Sequence, residues 1–162
     1  MSVNRGKQFE QLLKEQFEKI SNISVDRLYD VTTGFKNQNN VCDLIVYKEG
    51  TLNYIECKAI HGNTLNFKSH IRQNQWDKLL DKSYIGGVNA GIICWFIDLD
   101  KTYWIDIQCL NKLKKLGHKS FNGTYDYGYY HKIGQLIEIE GKKKKVLFEY
   151  NLDKFLEEIK YE

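Results

Sequence analysis

Three charged side chains stand on two short segments that otherwise have the composition of buried β-strands. Asp43 lies in Cys42–Val46, and Glu56 and Lys58 lie in Tyr54–Lys58. Twelve residues separate Asp43 from Glu56, which is enough for two strands and a tight turn. Because successive side chains of a strand alternate between faces, Glu56 and Lys58 share one face, which an Asp on the neighbouring strand can join. Two carboxylates and an ammonium are costly to bury unless they bind a cation or one another.

A divalent metal ion and a phosphodiester would account for all three charges. Carboxylates hold Mg²⁺ or Mn²⁺ through oxygen ligands, and the metal activates water and neutralises developing charge. Lys58 would orient the water, help to deprotonate it, or contact the phosphate. The backbone carbonyl of Cys57 could be a further ligand, while its side chain faces the other way. The alternative is that Asp43, Glu56 and Lys58 are ordinary surface charges.

The elements that must position these residues follow from hydrophobic periodicity. The pattern predicts the order helix, three strands, helix, two strands, and therefore an α/β fold with a mixed sheet flanked by helices. The predicted elements are a helix at Asn4–Ser21, strands at Val25–Tyr29, Cys42–Tyr47 and Leu52–Ala59, a helix at Ser69–Lys82 with Ser69 as its N-cap, and strands at Ala90–Ile97 and Thr102–Ile107.

The segments between and after these elements are less regular. Thr32–Asn40 is predicted to be a polar loop, Lys48–Thr51 a hairpin turn and His61–Asn66 a polar connection. Near the C-terminus the pattern predicts a hairpin and a short helix. The predicted segments are strands at Leu136–Glu140 and Val146–Tyr150 around Gly141, and a helix at Asn151–Ile159.

Length and composition limit the class of protein. A chain of 162 residues with 42% hydrophobic residues is expected to form one domain. The polar N-terminus and the absence of an apolar run of about 18 residues predict a cytoplasmic protein without a membrane span. The four cysteines form no CxxC pair and are expected to be buried free thiols. The net charge of +3 permits nucleic-acid binding without arguing for it.

The Asp43…Glu56-x-Lys58 pattern and its surroundings resemble the PD-(D/E)xK, or restriction-endonuclease-like, nuclease superfamily. Within it the chain looks most like the RecU-type Holliday junction resolvases and their phage relatives. The resemblance covers roughly residues 4–113, which implies a nuclease core there and a C-terminal extension at about 114–162 of the same domain. The segments that carry it are Asn4-Arg5-Gly6, Glu10, Thr32-Thr33, Tyr54-Ile55-Glu56-Cys57-Lys58-Ala59, Phe67, Gln75, Gly91–Ile97 and Tyr103–Asp106. Cys42 stands where the superfamily has a Pro before the metal Asp. The loop Thr33–Asn40 takes the place of the long stalk of the RecU proteins, which archaeal resolvases of the superfamily also lack.

The resemblance implies roles for two further residues. A first-helix Glu often joins the metal site in this superfamily, and Glu10 borders the apolar stripe of the first helix; the alternative is a solvated helix-edge Glu. Relatives place a Gln near the scissile phosphate, where Gln75 would stand; the alternative is an ordinary Gln on a helix surface.

Basic residues at the start of the second predicted helix suggest a DNA contact. Lys68, His70 and Arg72 would form a phosphate seat, and Lys68 and Arg72, four residues apart, would share one helix face. Arg5, Lys7 and Lys36 could extend that surface. Lys142–Lys145 are more typical of a solvated hairpin turn, and Tyr125–His131 of a packed loop or dimer contact than of a base-stacking platform.

These observations favour a Mg²⁺- or Mn²⁺-dependent, structure-selective DNA endonuclease acting on four-way junctions. Symmetric cutting of a junction requires two sites related by a two-fold axis, so a homodimer is expected, in a bacterial or phage-infected cell. The alternatives are another nuclease of the superfamily, restriction-type or nicking, and a non-catalytic nucleic-acid-binding protein.

Overall fold

The computed structural model of the chain describes residues 3–29, 31–33, 36–38, 40–131 and 135–159. Its α-helices are α1 Arg5–Glu18, α2 Phe67–His70, α3 Gln73–Ser83, α4 Ile107–Lys115, α5 Asp126–Tyr130 and α6 Leu152–Glu158. Its β-strands are β1 Ser24–Arg27, β2 Val31–Thr33, β3 Lys36–Gln38, β4 Leu44–Lys48, β5 Thr51–Ile60, β6 Thr64–Asn66, β7 Val88–Phe96, β8 Lys101–Asp106, β9 Ser120–Asn122, β10 Leu136–Glu138, β11 Gly141–Lys144 and β12 Leu147–Tyr150.

A six-stranded mixed sheet carries the fold, with strand order β1-β4-β5-β7-β8-β10. β5 and β7 are parallel, whereas the other neighbouring pairs are antiparallel. A parallel pair needs a crossover connection, and β6, α2 and α3 supply it between β5 and β7. The predicted α/β fold class, with a mixed sheet flanked by helices and the core order αβββαββ, is confirmed.

β7 is the centre of the molecule, and all nine of its residues are buried. Its side chains alternate between two apolar cores. Ile92 and Cys94 face the core under α3 and α4, whereas Ile93 and Trp95 face the core under α1 and α6. A strand covered on both faces reads as a continuous apolar run, which is why the sequence predicts it well.

The β4–β5 hairpin sets the register on which the charged residues depend. Its two-residue turn has positive φ at both Glu49 (50°) and Gly50 (81°), as a type I′ turn requires. The turn pairs Lys48 with Thr51 and, at the far end, Leu44 with Ile55.

The prediction of one continuous second helix is wrong. The segment breaks into α2 and α3, because Ile71 has an extended backbone (φ −127°, ψ 119°) and is buried in the core. The N-cap of α2 is Asn66, whose side chain accepts the N–H groups of Lys68 and Ser69, so Ser69 is not the cap. Lys68 and Arg72 therefore do not share the face of one helix.

Three irregular segments also differ from expectation because long-range pairing decides them. The predicted loop Thr32–Asn40 contains the antiparallel pair β2–β3. The connection His61–Asn66 contains β6, which pairs with β9. The C-terminal hairpin is not formed by Leu136–Glu140 and Val146–Tyr150: β10 joins β8 as an edge of the main sheet, and β11 pairs with β12.

The predictions about the cysteines and the C-terminal helix are confirmed. All four cysteines are free and buried. The helix predicted at Asn151–Ile159 is α6, Leu152–Glu158, with Asn151 as its N-cap. Lys142–Lys144 are exposed, as predicted, but they lie on the strand β11 and not in a turn. No helix within the described ranges is both long and apolar enough to cross a membrane.

Candidate active site

The end of the β4–β5 hairpin brings the predicted charged residues together. Continuing its register by one residue beyond the Leu44–Ile55 pair sets Asp43 opposite Glu56. Opposite residues of an antiparallel pair project to the same face, and Lys58 follows two residues after Glu56 on that face. The neighbours of Glu56 and Lys58 on β7 are Ile92 and Cys94, so this is the face covered by α3.

Glu56 is the most enclosed of the three charged residues. Only 4% of its surface is exposed, and both of its carboxylate oxygens have partners. Oε2 accepts a hydrogen bond from the side-chain amide of Gln75 on α3. Oε1 lies 3.6 Å from Nζ of Lys58. The Gln75 side chain is itself buried, so it is part of this site and not an ordinary surface Gln.

Asp43 is fixed to the neighbouring strand by its side chain. Its Oδ2 accepts the backbone N–H of Cys57 at 2.9 Å, just beyond the last β4–β5 pair. The Cys57 side chain packs in the opposite core, under α1. The predicted orientation of Cys57 is therefore confirmed.

The proximity of Asp43 and Glu56 affects the protonation of Glu56. Burial raises the pKa of Glu56 well above the usual carboxyl range, and Asp43 raises it further through its charge and a side-chain hydrogen bond. The ammonium of Lys58 acts in the opposite direction and lowers this pKa. Without a further positive charge, the site therefore disfavours two ionised carboxylates.

Glu10 lies at the border of this site on α1. Its Oε2 is 3.0 Å from the Arg27 guanidinium on β1, and the carboxylate is half-buried. Burial raises the pKa of Glu10, and so does the charge of Asp43, whereas Arg27 lowers it. Glu10 is therefore not a fully solvated side chain, and its carboxylate binds Arg27 while lying close enough to Asp43 to feel its charge. Its role as a metal ligand remains a prediction.

The donor atoms fit a hard divalent cation. Carboxylate and carbonyl oxygens are the ligands that Mg²⁺ and Mn²⁺ prefer, and a cation would relieve the repulsion between Asp43 and Glu56. Within the described part of the chain, no three His, Cys, Asp or Glu side chains are arranged to hold a metal ion. A cation on this carboxylate pair would therefore take its remaining ligands from backbone oxygens, such as that of Cys57, or from water.

The predicted DNA-binding residues are spread over several elements. His70 accepts the backbone N–H of Asn66 on Nδ1 at 2.8 Å, and burial and then the charge of Lys58 lower the pKa of His70. Lys68 is exposed on α2, and Arg72 precedes α3.

The remaining predicted basic residues lie elsewhere. Arg5 and Lys7 occupy the first turn of α1, where the Arg5 guanidinium donates to the side chain of Gln8 at 2.7 Å. The Lys36 side chain lies outside the residues whose side chains are described, although its backbone belongs to β3.

Sequence reasoning missed Arg27, which holds Glu10 beside the carboxylates. Its neighbours in β1 give a signal in retrospect. Ser24–Arg27 pairs with Leu44–Tyr47, and Arg27 lies opposite Leu44, the residue after Asp43. A positive side chain at the end of the first strand, opposite the residue that follows Asp43, is the signal that the sequence contains.

No protein-family model and no curated protein matches the chain. Solved structures do match. One of them is Hjc from Archaeoglobus fulgidus, a Holliday junction resolvase from an archaeal hyperthermophile. The alignment has 16% identity and a TM-score of 0.48, and it covers 64% of this chain and 78% of that chain. The chemistry assigned to this chain rests on its own residues and not on that likeness.

Proposed function

We propose that the chain is a divalent-metal-dependent, structure-selective DNA endonuclease that acts on Holliday junctions. The observation that carries the proposal is the pairing of Asp43 with the buried Glu56, with Lys58 3.6 Å from Glu56 and the Gln75 amide on the other Glu56 oxygen. Two adjacent carboxyl groups beside an ammonium have little structural value unless they bind a cation. The same three residues suit hydrolysis of a phosphodiester.

Asp43, Glu56 and the carbonyl of Cys57 would hold Mg²⁺ or Mn²⁺, with Glu10 as a further candidate ligand. When bound, the cation supplies charge against the phosphoryl oxygens and increases the acidity of water. Gln75 keeps the Glu56 carboxylate in one orientation. Lys58, whose side chain is about a quarter exposed (26%), would donate to a phosphoryl oxygen or orient the attacking water.

The junction is the substrate that the RecU-like motifs favour, and it sets the expected assembly. Two cuts of opposite strands require two sites related by a two-fold axis, so the active form would be a homodimer. The bacterial or phage setting and the cytoplasmic location belong to the same proposal.

Cleavage of labelled DNA is the direct test. Purified protein is incubated with four-way, flap and linear DNAs of shared sequence, in Mg²⁺, in Mn²⁺ and in EDTA. We expect symmetric, metal-dependent cutting of the four-way DNA, and none by Glu56→Gln. Glu149→Gln is a suitable control, since Glu149 is an exposed carboxylate on β12.

The outcomes separate the alternatives. Preferential cutting of flap or linear DNA would identify a nuclease of another specificity. Binding of DNA with no cutting in either metal would favour a non-catalytic nucleic-acid-binding protein. Analytical ultracentrifugation with and without junction DNA tests the homodimer. A protein that remains monomeric on the junction would contradict it.

A further inference from the structure

A concave surface lies beside α2. It is a groove of about 780 Å³ between α2 and the end of α4. We call it the basic groove, and the residues of its lining that matter here are Phe67, Lys68, Ile71, Lys114, His118 and Lys119. No Asp or Glu is among the described residues that line it.

The groove is built by contacts that hold its basic residues in place. The rings of Phe67 and Trp76 lie 5.4 Å apart, and Nζ of Lys114 lies 4.8 Å from the centre of the Trp76 ring. The carbonyl of Lys119 accepts the backbone N–H of Phe67 at 3.0 Å, which ties this segment to α2. His118 lies 3.0 Å from the hydroxyl of Tyr130, through its Nε2. Packing and hydrogen bonds therefore fix the positions of Lys114, His118 and Lys119 around the groove.

The charge of the groove favours an anionic ligand. Lys68, Lys114 and Lys119 carry three positive charges around a floor of Phe67 and Ile71, and all three lysines are exposed. An extended polyanion fits such an arrangement better than a small anion does, since the lysines come from α2, from α4 and from the segment after α4. Phosphates of a nucleic-acid backbone are spaced along a strand and are neutralised by lysines in this way.

The groove also adjoins the candidate active site. Within α2, Lys68 lines the groove, whereas His70 is close enough to Lys58 for its charge to lower the His70 pKa. Within α3, Gln75 donates to Glu56, whereas the next residue, Trp76, packs against Phe67 and under Lys114. A strand that passes the carboxylates can therefore continue over α2 into the groove.

We propose that the basic groove holds the phosphate backbone of a DNA arm leaving the carboxylate site, with Lys68, Lys114 and Lys119 as the phosphate contacts. This inference rests on the proposed function and specifies where its substrate lies. Lys114, His118 and Lys119 thereby become part of the DNA surface, and Lys68 acts with them and not with Arg72.

The test is a salt titration of junction binding, measured by fluorescence anisotropy in Ca²⁺ so that the DNA is not cut. The variants are Lys114→Ala/Lys119→Ala and, to preserve the aliphatic stems against Trp76, Lys114→Gln/Lys119→Gln. The control is Lys142→Ala/Lys144→Ala, which removes the same charge from the exposed strand β11. Circular dichroism and thermal melting confirm that each variant is folded.

We expect both groove variants to bind more weakly at every salt concentration. The slope of log affinity against log salt should become shallower by about 1.8, which is about 0.9 for each of two duplex phosphate contacts. The β11 control should keep the wild-type slope. A groove variant with the wild-type slope, or a control with an equal loss, would overturn the inference, as would a wild-type protein that does not bind the junction.

Single-turnover cleavage in Mg²⁺ separates this inference from the proposed function. At limiting DNA the groove variants should cut more slowly, in line with their loss of affinity, whereas the β11 control should cut at the wild-type rate. If the wild-type protein binds but does not cut, the proposed activity fails, while the difference in salt slope still decides the groove.

Discussion

Replacing Gln75 with Ala tests whether α3 supports the carboxylate site. The Gln75 side chain is 4% exposed and donates its amide to Glu56, which is equally enclosed. A buried acceptor left without its donor incurs a desolvation cost of about 1–3 kcal/mol. We therefore expect Gln75→Ala to lower the free energy of unfolding by about 1–3 kcal/mol. If the same bond orients Glu56 during hydrolysis, the cleavage rate should fall roughly ten- to hundredfold.

Gln73→Ala is the matched control for this prediction. Gln73 has the same side chain on the same helix, but it is exposed and donates to Asp77 at 2.9 Å. A surface bond of this kind is worth about 0.5 kcal/mol or less. Urea unfolding gives the two free energies, and single-turnover cleavage of a four-way DNA gives the rates. Equal stability of the two variants would refute the reasoning, because it would mean that the Gln75–Glu56 bond contributes nothing to the fold.

Three further predictions concern charged groups. Asp43→Asn or Glu56→Gln should abolish cleavage, keep DNA affinity by anisotropy, and leave melting temperature unchanged or higher because a like charge is removed; wild-type rates in either would contradict the assignment. Lys58→Ala should lower the cleavage rate by about 10²-fold or more while calorimetry still detects metal binding, so a loss of metal affinity would argue against this role. Burial raises the pKa of Asp106 from 3.8 to about 6. The contribution of the protonated Asp106 carboxyl to the free energy of unfolding is therefore complete below pH 3.8 and is lost as the pH rises through 6. Asp106→Asn keeps a capping oxygen for α4, and it should raise stability at pH 7 by about 1–3 kcal/mol and flatten this dependence in urea unfolding; an unchanged pH profile would mean that Asp106 is not the titrating group.

The hairpin that positions the carboxylates could be predicted because its determinants are local. Glu49 and Gly50 fit a tight turn, and alternation in β5 places Glu56 and Lys58 on one face. The register then follows from the turn without any knowledge of the rest of the chain. For the same reason β7 was predictable, since a strand buried on both faces carries its signal in every residue.

The division of the second helix could not be predicted because no local signal marks it. Neither Gly nor Pro occurs between Asn66 and Arg72, and both Asn66 and Ser69 are good N-cap residues. Ile71 becomes extended because its side chain is buried in the core between the sheet and α3. That burial is a tertiary effect, and it overrides the helical preference of the surrounding residues.

The pairing of distant strands was beyond sequence reasoning for a related reason. β6 and β9 are separated by α2, α3, β7, β8 and α4, and three-residue strands have too little periodicity to identify a partner. The pairing nevertheless matters for function. It brings the segment after α4 to the start of α2, where Phe67 donates its N–H to Lys119, and so it closes one wall of the basic groove.

α3 links the two surfaces through consecutive residues. Side chains one residue apart on a helix diverge by about 100°, so Gln75 can reach Glu56 while Trp76 reaches Phe67 and Lys114. A small rotation of α3 would therefore move the support of the carboxylates and a wall of the groove together. Because Trp76 is buried between these partners, such a rotation would have to displace the packed core as well. The relative position of the two surfaces is thus fixed by the core, which is what a nuclease requires if the phosphates held in the groove are to set the distance to the phosphate that is cut.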